Sequence, residues 1–309
     1  VSGIVVLAAL GMTWGLGTPA ERLHYFAKYA DLLLAPLLIM LPMTAADRRR
    51  ALIALTAALA LTLLLSYAFR LGLMPQGLES ERRTPTNPWV FKRHITHGLF
   101  MAFACMLAAI YGLKARSGTM RRLSGWIAVL AAGGVLMVDG RTGYLVLAVT
   151  AAYLFIHRWR GRGLAVVLAA AALLGVVIVH VPGAPSVELI TMGVQEMRAW
   201  EYGRNDTTSM GLRMQYLATT VDIIKDHPII GTGTGGFETA YREKLASYQS
   251  GLSSTNPHNQ YLLMMAQFGP IGLCAIIGLG IVLWGSSRRL AEPGRLLAPG
   301  LVVAYGAGG

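Results

Sequence analysis

The fold class this sequence predicts is all-α, a polytopic integral membrane bundle with a large helical loop on one face. Long apolar runs, few charges and a one-sided distribution of those charges predict it. Hydrophobic residues make up 54% of the chain and charged residues 14%, where a soluble domain carries about a quarter charged residues. Mean hydropathy is +0.52. At about 20 residues per span, apolar stretches fall near 1–20, 26–43, 50–73, 95–113, 123–138, 142–156, 163–181, 259–284 and 296–309. That reading gives about nine spans in one transmembrane domain over 1–309. The chain opens on Val1 and stops at Gly309 inside apolar runs, so nine is an expected floor.

The net charge of +12 would suggest nucleic acid on a soluble domain, but its placement argues for a bilayer. Taking connections alternately, one set holds Asp47 to Arg50, then Lys114, Arg116, Arg121 and Arg122, then Arg158, Arg160 and Arg162, then Arg288, Arg289, Glu292 and Arg295. Thirteen bases there face two acids, and the other fourteen bases face thirteen acids. Cytoplasmic loops carry such an excess, so the two longest connections, 74–94 and 182–257, are expected on the opposite face. No basic surface is left for nucleic acid. Cys105 and Cys274 fall in expected spans and read as small hydrophobes without a disulfide framework.

Polar groups at membrane depth are costly and tend to be functional. The expected spans are poor in acids, with Asp31 and Asp139 the main exceptions, and this counts against an ion-coupled transporter with midplane carboxylates. In Val138-Asp139-Gly140-Arg141-Thr142-Gly143 the chain turns between two apolar runs and presents a guanidinium. Glycines there permit a tight turn and close approach by a ligand. A snorkelling arginine or an Asp139 pair is the plainer alternative.

In the long loop, Thr207, Thr208 or Ser209 can cap a helix from about Met210 to Asp226, stopped by Pro228. Leu212, Tyr216, Leu217, Val221 and Ile224 would form its apolar stripe. Arg213 lies beside that stripe, as a solvated cation or as a partner for an anion at the helix N-terminus. Gly231-Thr232-Gly233-Thr234-Gly235-Gly236 lacks the Lys-Ser/Thr of a phosphate loop and reads as a flexible turn, with backbone contact to a phosphate as the alternative. Asn256 can cap the span that follows, placing His258 in its first turn. There the helix dipole favours the neutral imidazole that a general base requires, although a lone interfacial histidine is more often inert. Glu79-Ser80-Glu81 is followed by Arg82 and Arg83 and reads as a solvated loop, and no cluster has metal-ligand spacing.

Two arginines and a histidine on one face suit attack on a lipid-linked diphosphate sugar. Guanidinium forks hold phosphate oxygens bidentately. A diphosphate leaving group needs no acid to protonate it, unlike the alcohol leaving in glycoside hydrolysis.

The order of an Arg-x-Gly turn, an arginine-bearing loop helix, "DHPIIGTGTGGF" and "PHNQYLLMMAQFGPIGL" resembles the O-antigen ligase and polymerase superfamily over roughly residues 130–280. The resemblance implies about a dozen spans in the bacterial inner membrane and an active site facing the periplasm. It implies that Arg141 and Arg213 bind undecaprenyl diphosphate and that His258 activates the acceptor. Asp139, Asn259, Tyr261 and Gly233 stand as supporting candidates. It further implies a metal-independent, inverting glycosyltransferase with no cofactor, whose partners are the lipid-linked polysaccharide donor and the lipid A–core acceptor. The sequence after His258, Asn-Gln-Tyr-Leu, lacks the acidic residue associated with protein-glycosylating members. The single large loop favours a ligase over a polymerase. A lipid-linked-oligosaccharide flippase is the competitor from another class.

Overall fold

The computed structural model describes residues 1–75, 83–91, 93–180, 185–201, 208–246, 256–291 and 294–308; the Glu79–Glu81 motif lies outside them. In chain order the helices are α1 (Ser2–Gly11), α2 (Pro19–Ala30), a 3-10 turn at Asp31–Leu33, α3 (Leu34–Met40), α4 (Ala45–Arg70), α5 (His94–Lys114), α6 (Gly118–Leu136), α7 (Arg141–Trp159), α8 (Gly161–His180), α9 (Pro185–Arg198), α10 (Ser209–Asp226), α11 (Gly236–Ala246), α12 (Gln260–Ser287) and α13 (Gly294–Gly308). No strand occurs among the described residues; the expected all-α class is the observed one.

Three of these helices, α4, α5 and α12, are long and apolar enough to cross a membrane. The other expected spans are covered differently. The stretch 1–20 is not one helix: α1 ends after 10 residues, about 15 Å and half a bilayer. Thr18 and Pro19 then start α2, with Thr18 and Glu21 forming a capping box. The stretch 26–43 is divided among α2, the 3-10 turn and α3. At 123–138 and 142–156 stand α6 and α7, of 19 residues each.

The chain forms two compact units, Val1–Leu41 with Ala172–Ile281, and Pro42–Ala171 with Val282–Gly308. In the second unit, α5 packs against α6 and α7 around Met101, Ala102, Leu107, Ala131, Val135 and Val146. Gly98 and Gly143 let α5 and α7 approach: a Cβ on Gly143 would sit 3.2 Å from the Gly98 Cα. Small residues at such crossings are what helix association in lipid uses, because close backbone contact replaces the hydrophobic drive available in water. Side chains turned outward on α4, among them Leu52, Ile53, Leu61 and Leu64, are apolar, as lipid contact requires. Cys105 is half-buried; Cys274 is exposed rather than buried as expected, and both are free thiols.

In the first unit, Ile4 and Ala8 of α1 pack on Met264 and Phe268 of α12. Ile223 of α10, Phe237, Tyr241 and Leu245 of α11, and Leu263 of α12 form a second core.

Candidate functional site

Helix α10 starts where its signals place it. The Thr208 hydroxyl accepts from the Gly211 N–H at 3.0 Å, and the Glu196 carboxylate accepts from the Met210 N–H at 3.2 Å. Those amides are therefore occupied by the protein, with Glu196 standing where the alternative reading would place an anion. The buried face of α10 also differs from the apolar stripe expected. Leu217 is 43% exposed, while Gln215, Thr219 and Thr220 are fully buried. Gln215 donates to the Thr219 hydroxyl at 2.9 Å and Thr220 donates to the Tyr216 carbonyl at 2.5 Å. Polar groups face inward because they satisfy one another there.

Arg213 is exposed, and its guanidinium has no hydrogen bond or ion pair with a described residue. Three residues on, and so on the same helix face, is Tyr216. Its ring lies 5.2 Å from the His258 imidazole, centroid to centroid, at 44°. Tyr216 in turn contacts Tyr241 at 6.1 Å. The structure thus brings Tyr216 and His258 together, with Arg213 one turn before Tyr216 on the same helix. Tyr216, expected only as part of an apolar stripe, is the residue that joins the other two.

His258 stands before α12 rather than in its first turn. The cap is Asn259, whose Oδ1 accepts from the Leu262 N–H at 3.0 Å. Asn256, the expected cap, accepts instead from the His258 N–H at 2.8 Å. That turn holds His258 at φ +55°, a left-handed conformation uncommon outside glycine, in which strain of about 1–3 kcal/mol persists only when the surroundings enforce it. The imidazole itself is exposed. Tyr261 is half-buried in the first turn of α12.

Gly233 belongs to a different kind of element. The segment Gly231–Gly236 is buried, and it is a bracket rather than the flexible turn expected. Helix α12 breaks at Gly269, φ +63° and ψ −157°, followed by Pro270. Proline has no N–H, so the Ala266 carbonyl loses its helical donor. The Thr232 N–H supplies one at 2.8 Å, and the Gly233 N–H donates to Gln267 at 2.8 Å. The Thr234 N–H donates to the Gly11 carbonyl at 3.0 Å, the Leu16 N–H to the Thr232 carbonyl at 3.0 Å, and the Thr234 hydroxyl to the Ala8 carbonyl at 2.6 Å. The amides that a phosphate would need at 232, 233 and 234 are already donated.

Around this bracket the charges are tied. Arg22 donates to the Gly17 and Met12 carbonyls, Arg242 pairs with Glu21 at 3.2 Å, Lys244 with Asp226 at 2.6 Å, and Tyr25 donates to Glu238 at 2.8 Å. The Thr18 backbone N–H, then the Thr18 hydroxyl, hold the Glu21 carboxyl below its ordinary value, with a smaller contribution from Arg242.

Arg141 lies in the other compact unit, as the first residue of α7. Four residues join α6 to α7. Gly140 has φ −124°, a conformation open to any residue, and Gly143 serves the crossing with α5, so neither glycine is required by the turn itself. Asp139 is exposed, with its N–H donated to the Asn87 side chain at 3.1 Å. Sequence reading missed His97, fully buried near the start of α5. Its Nδ1 accepts from the Val90 N–H at 3.3 Å, and its Nε2 has no hydrogen-bond partner among the described residues. Among the described residues no three His, Cys, Asp or Glu side chains are placed to hold a metal ion.

With helices as its regular elements among the described residues, bilayer-length apolar helices among them and a glycine bracket meeting a broken helix, the molecule is an all-α membrane protein. A family model described as O-antigen ligase matches residues 126–277, and over that stretch the chain is similar to the O-antigen ligase superfamily. That stretch contains Asp139, Arg141, Arg213, Gly233, His258, Asn259 and Tyr261. No curated protein matches the chain.

Proposed function

We propose that this protein is an O-antigen ligase of the bacterial inner membrane, transferring polysaccharide from undecaprenyl diphosphate to a sugar hydroxyl of lipid A–core at the periplasmic face. The observation that carries the reading is the set of exposed Arg213 and His258 about Tyr216, in which the guanidinium has no partner among the described residues and the imidazole is held by a strained turn against an aromatic ring. In a unit where Arg22 and Arg242 are tied to protein oxygens, Arg213 retains its donors for an incoming anion.

In the reaction, the acceptor O–H approaches the anomeric carbon as the His258 imidazole takes its proton. The new C–O bond forms while the bond from that carbon to the diphosphate oxygen breaks. The electron pair leaves with undecaprenyl diphosphate, and the carbon inverts. Arg213 offsets the charge on the departing diphosphate, which a guanidinium fork fits bidentately; the resemblance to the family implies the same role for Arg141. A positioned base supplies roughly 10²–10⁴-fold in such proton transfers. A leaving group of this kind departs without protonation, so neither a carboxylic acid nor a metal is assigned a role.

The test is reconstitution of the full chain with a lipid-linked polysaccharide donor and, separately, lipid A–core, lipid-linked repeat units and a protein acceptor, each with chelator. Elongation of lipid A–core alone supports ligation. Joining of repeat units would make the protein a polymerase, and chelator sensitivity would overturn the metal-free step.

A further inference from the structure

Within the second unit, α5, α6 and α7 enclose a groove of about 380 Å³ that is open to the surface. Its walls are apolar, with the small residues Ala109 and Gly112 of α5 and Gly125 and Ala128 of α6 beside the larger Leu154 and Phe155 of α7. The wall's hydroxyl, Thr150, donates to the Val146 and Leu147 carbonyls of its own helix, so no polar group faces the interior from there. Two guanidiniums stand at one end, Arg121 of α6 and Arg158 of α7. Both side chains are exposed, and neither has a hydrogen bond or ion pair with a described residue. Arg158 instead lies 5.7 Å over the ring of Trp159, which lines the same end. Lys114, Arg116, Arg122, Arg160 and Arg162 crowd the adjoining connections.

An apolar slot closed by paired, unneutralised arginines and a tryptophan is complementary to one ligand shape, an acyl chain ending in an anionic head group. Basic pockets between membrane helices recognise lipids in this way. We infer that this groove is a binding site for an anionic glycerophospholipid, its phosphate between Arg121 and Arg158 and an acyl chain along α5 and α6. The occupant is not the polysaccharide donor. Arg141 opens α7 and Arg158 lies in its last turn, 17 positions further along one helix, about 26 Å of rise. A diphosphate at Arg141 therefore leaves this end of the α6–α7 hairpin to a second lipid.

Native mass spectrometry of the full chain in detergent tests this with added phosphatidylglycerol, phosphatidylcholine or inorganic phosphate. One phosphatidylglycerol is expected to stay bound under conditions that strip phosphatidylcholine, and inorganic phosphate is expected not to displace it. Replacing both groove arginines, Arg121→Gln with Arg158→Gln, should cut retention roughly tenfold or more. Ala109→Phe, which fills the slot, should do likewise, and the control Arg288→Gln with Arg289→Gln should leave it unchanged. Equal retention of phosphatidylcholine, displacement by phosphate alone, or an equal loss in the control would overturn the site. So would wild-type retention in the double groove variant, whose exposed positions leave the fold intact.

Discussion

Between Gly231 and Gly236 the first unit binds its polar groups to itself: the amides of Thr232, Gly233, Thr234 and Gly236 all donate to backbone carbonyls. About twenty residues to either side along the same chain, Arg213 and His258 are exposed. Both regions belong to one compact unit and both lie in the stretch shared with O-antigen ligases. The first is over-determined, with φ between +67° and +76° at three glycines and almost no space for a side chain at any of them. The second leaves the Arg213 guanidinium without a partner among the described residues, while Asn256 holds the His258 backbone N–H and Tyr216 meets its ring. On the proposed reading the bracket belongs to stability and the exposed face to chemistry. Substitutions should separate the two.

The largest effect is expected at His258. His258→Ala should lower polysaccharide transfer roughly 10²–10⁴-fold, with an unchanged melting temperature. Arg213→Lys comes next, because an ammonium cannot reproduce the fork: loss of one charge-assisted hydrogen bond should weaken donor binding about 10- to 100-fold, read by titration with the lipid diphosphate.

On the bracket the signs reverse. Gly233→Ala would place a Cβ 2.5 Å from the Gly15 Cα at φ +73°, so it should cost at least about 1–3 kcal/mol, seen as a lower melting temperature whatever the substrate. Gly140→Ala, with φ −124° and 3.4 Å to the nearest atom, should change stability by less than about 0.5 kcal/mol. If both glycines proved equally sensitive, the bracket would not be the special element described.

Tyr216 sharpens the exposed face. Tyr216→Phe keeps the ring and should stay near wild type, whereas Tyr216→Ala removes a contact worth about 0.5–1.5 kcal/mol and should slow transfer several-fold. The smallest effect is on pH. The Glu21 carboxyl is held below its ordinary value of 4.5, so the stability it adds is present above that value and is lost as pH falls through the depressed one. Glu21→Gln should therefore melt with a weaker pH dependence below about 4.5 than wild type, as thermal scans would show.

Much of this was legible in the residues themselves. Thr208 and Pro228 bound α10 within a residue or two of where caps and breakers place it, since both act locally. The bracket was not legible, because it depends on carbonyls that Pro270 releases more than thirty residues away. Nor was the inward face of α10, where Gln215 and Thr219 satisfy each other; an apolar stripe predicts burial only where apolar surface is scarce outside. The first expected span failed for a related reason, since the carbonyls of Ala8 and Gly11 and the amide of Leu16 are tied to Thr232 and Thr234 instead of continuing a helix.

The most direct test of the account measures donor binding and transfer separately in His258→Ala. Binding of the lipid diphosphate at wild-type affinity together with loss of polysaccharide joining is the predicted result. Joining of polysaccharide to lipid A–core at the normal rate by the purified variant would contradict it.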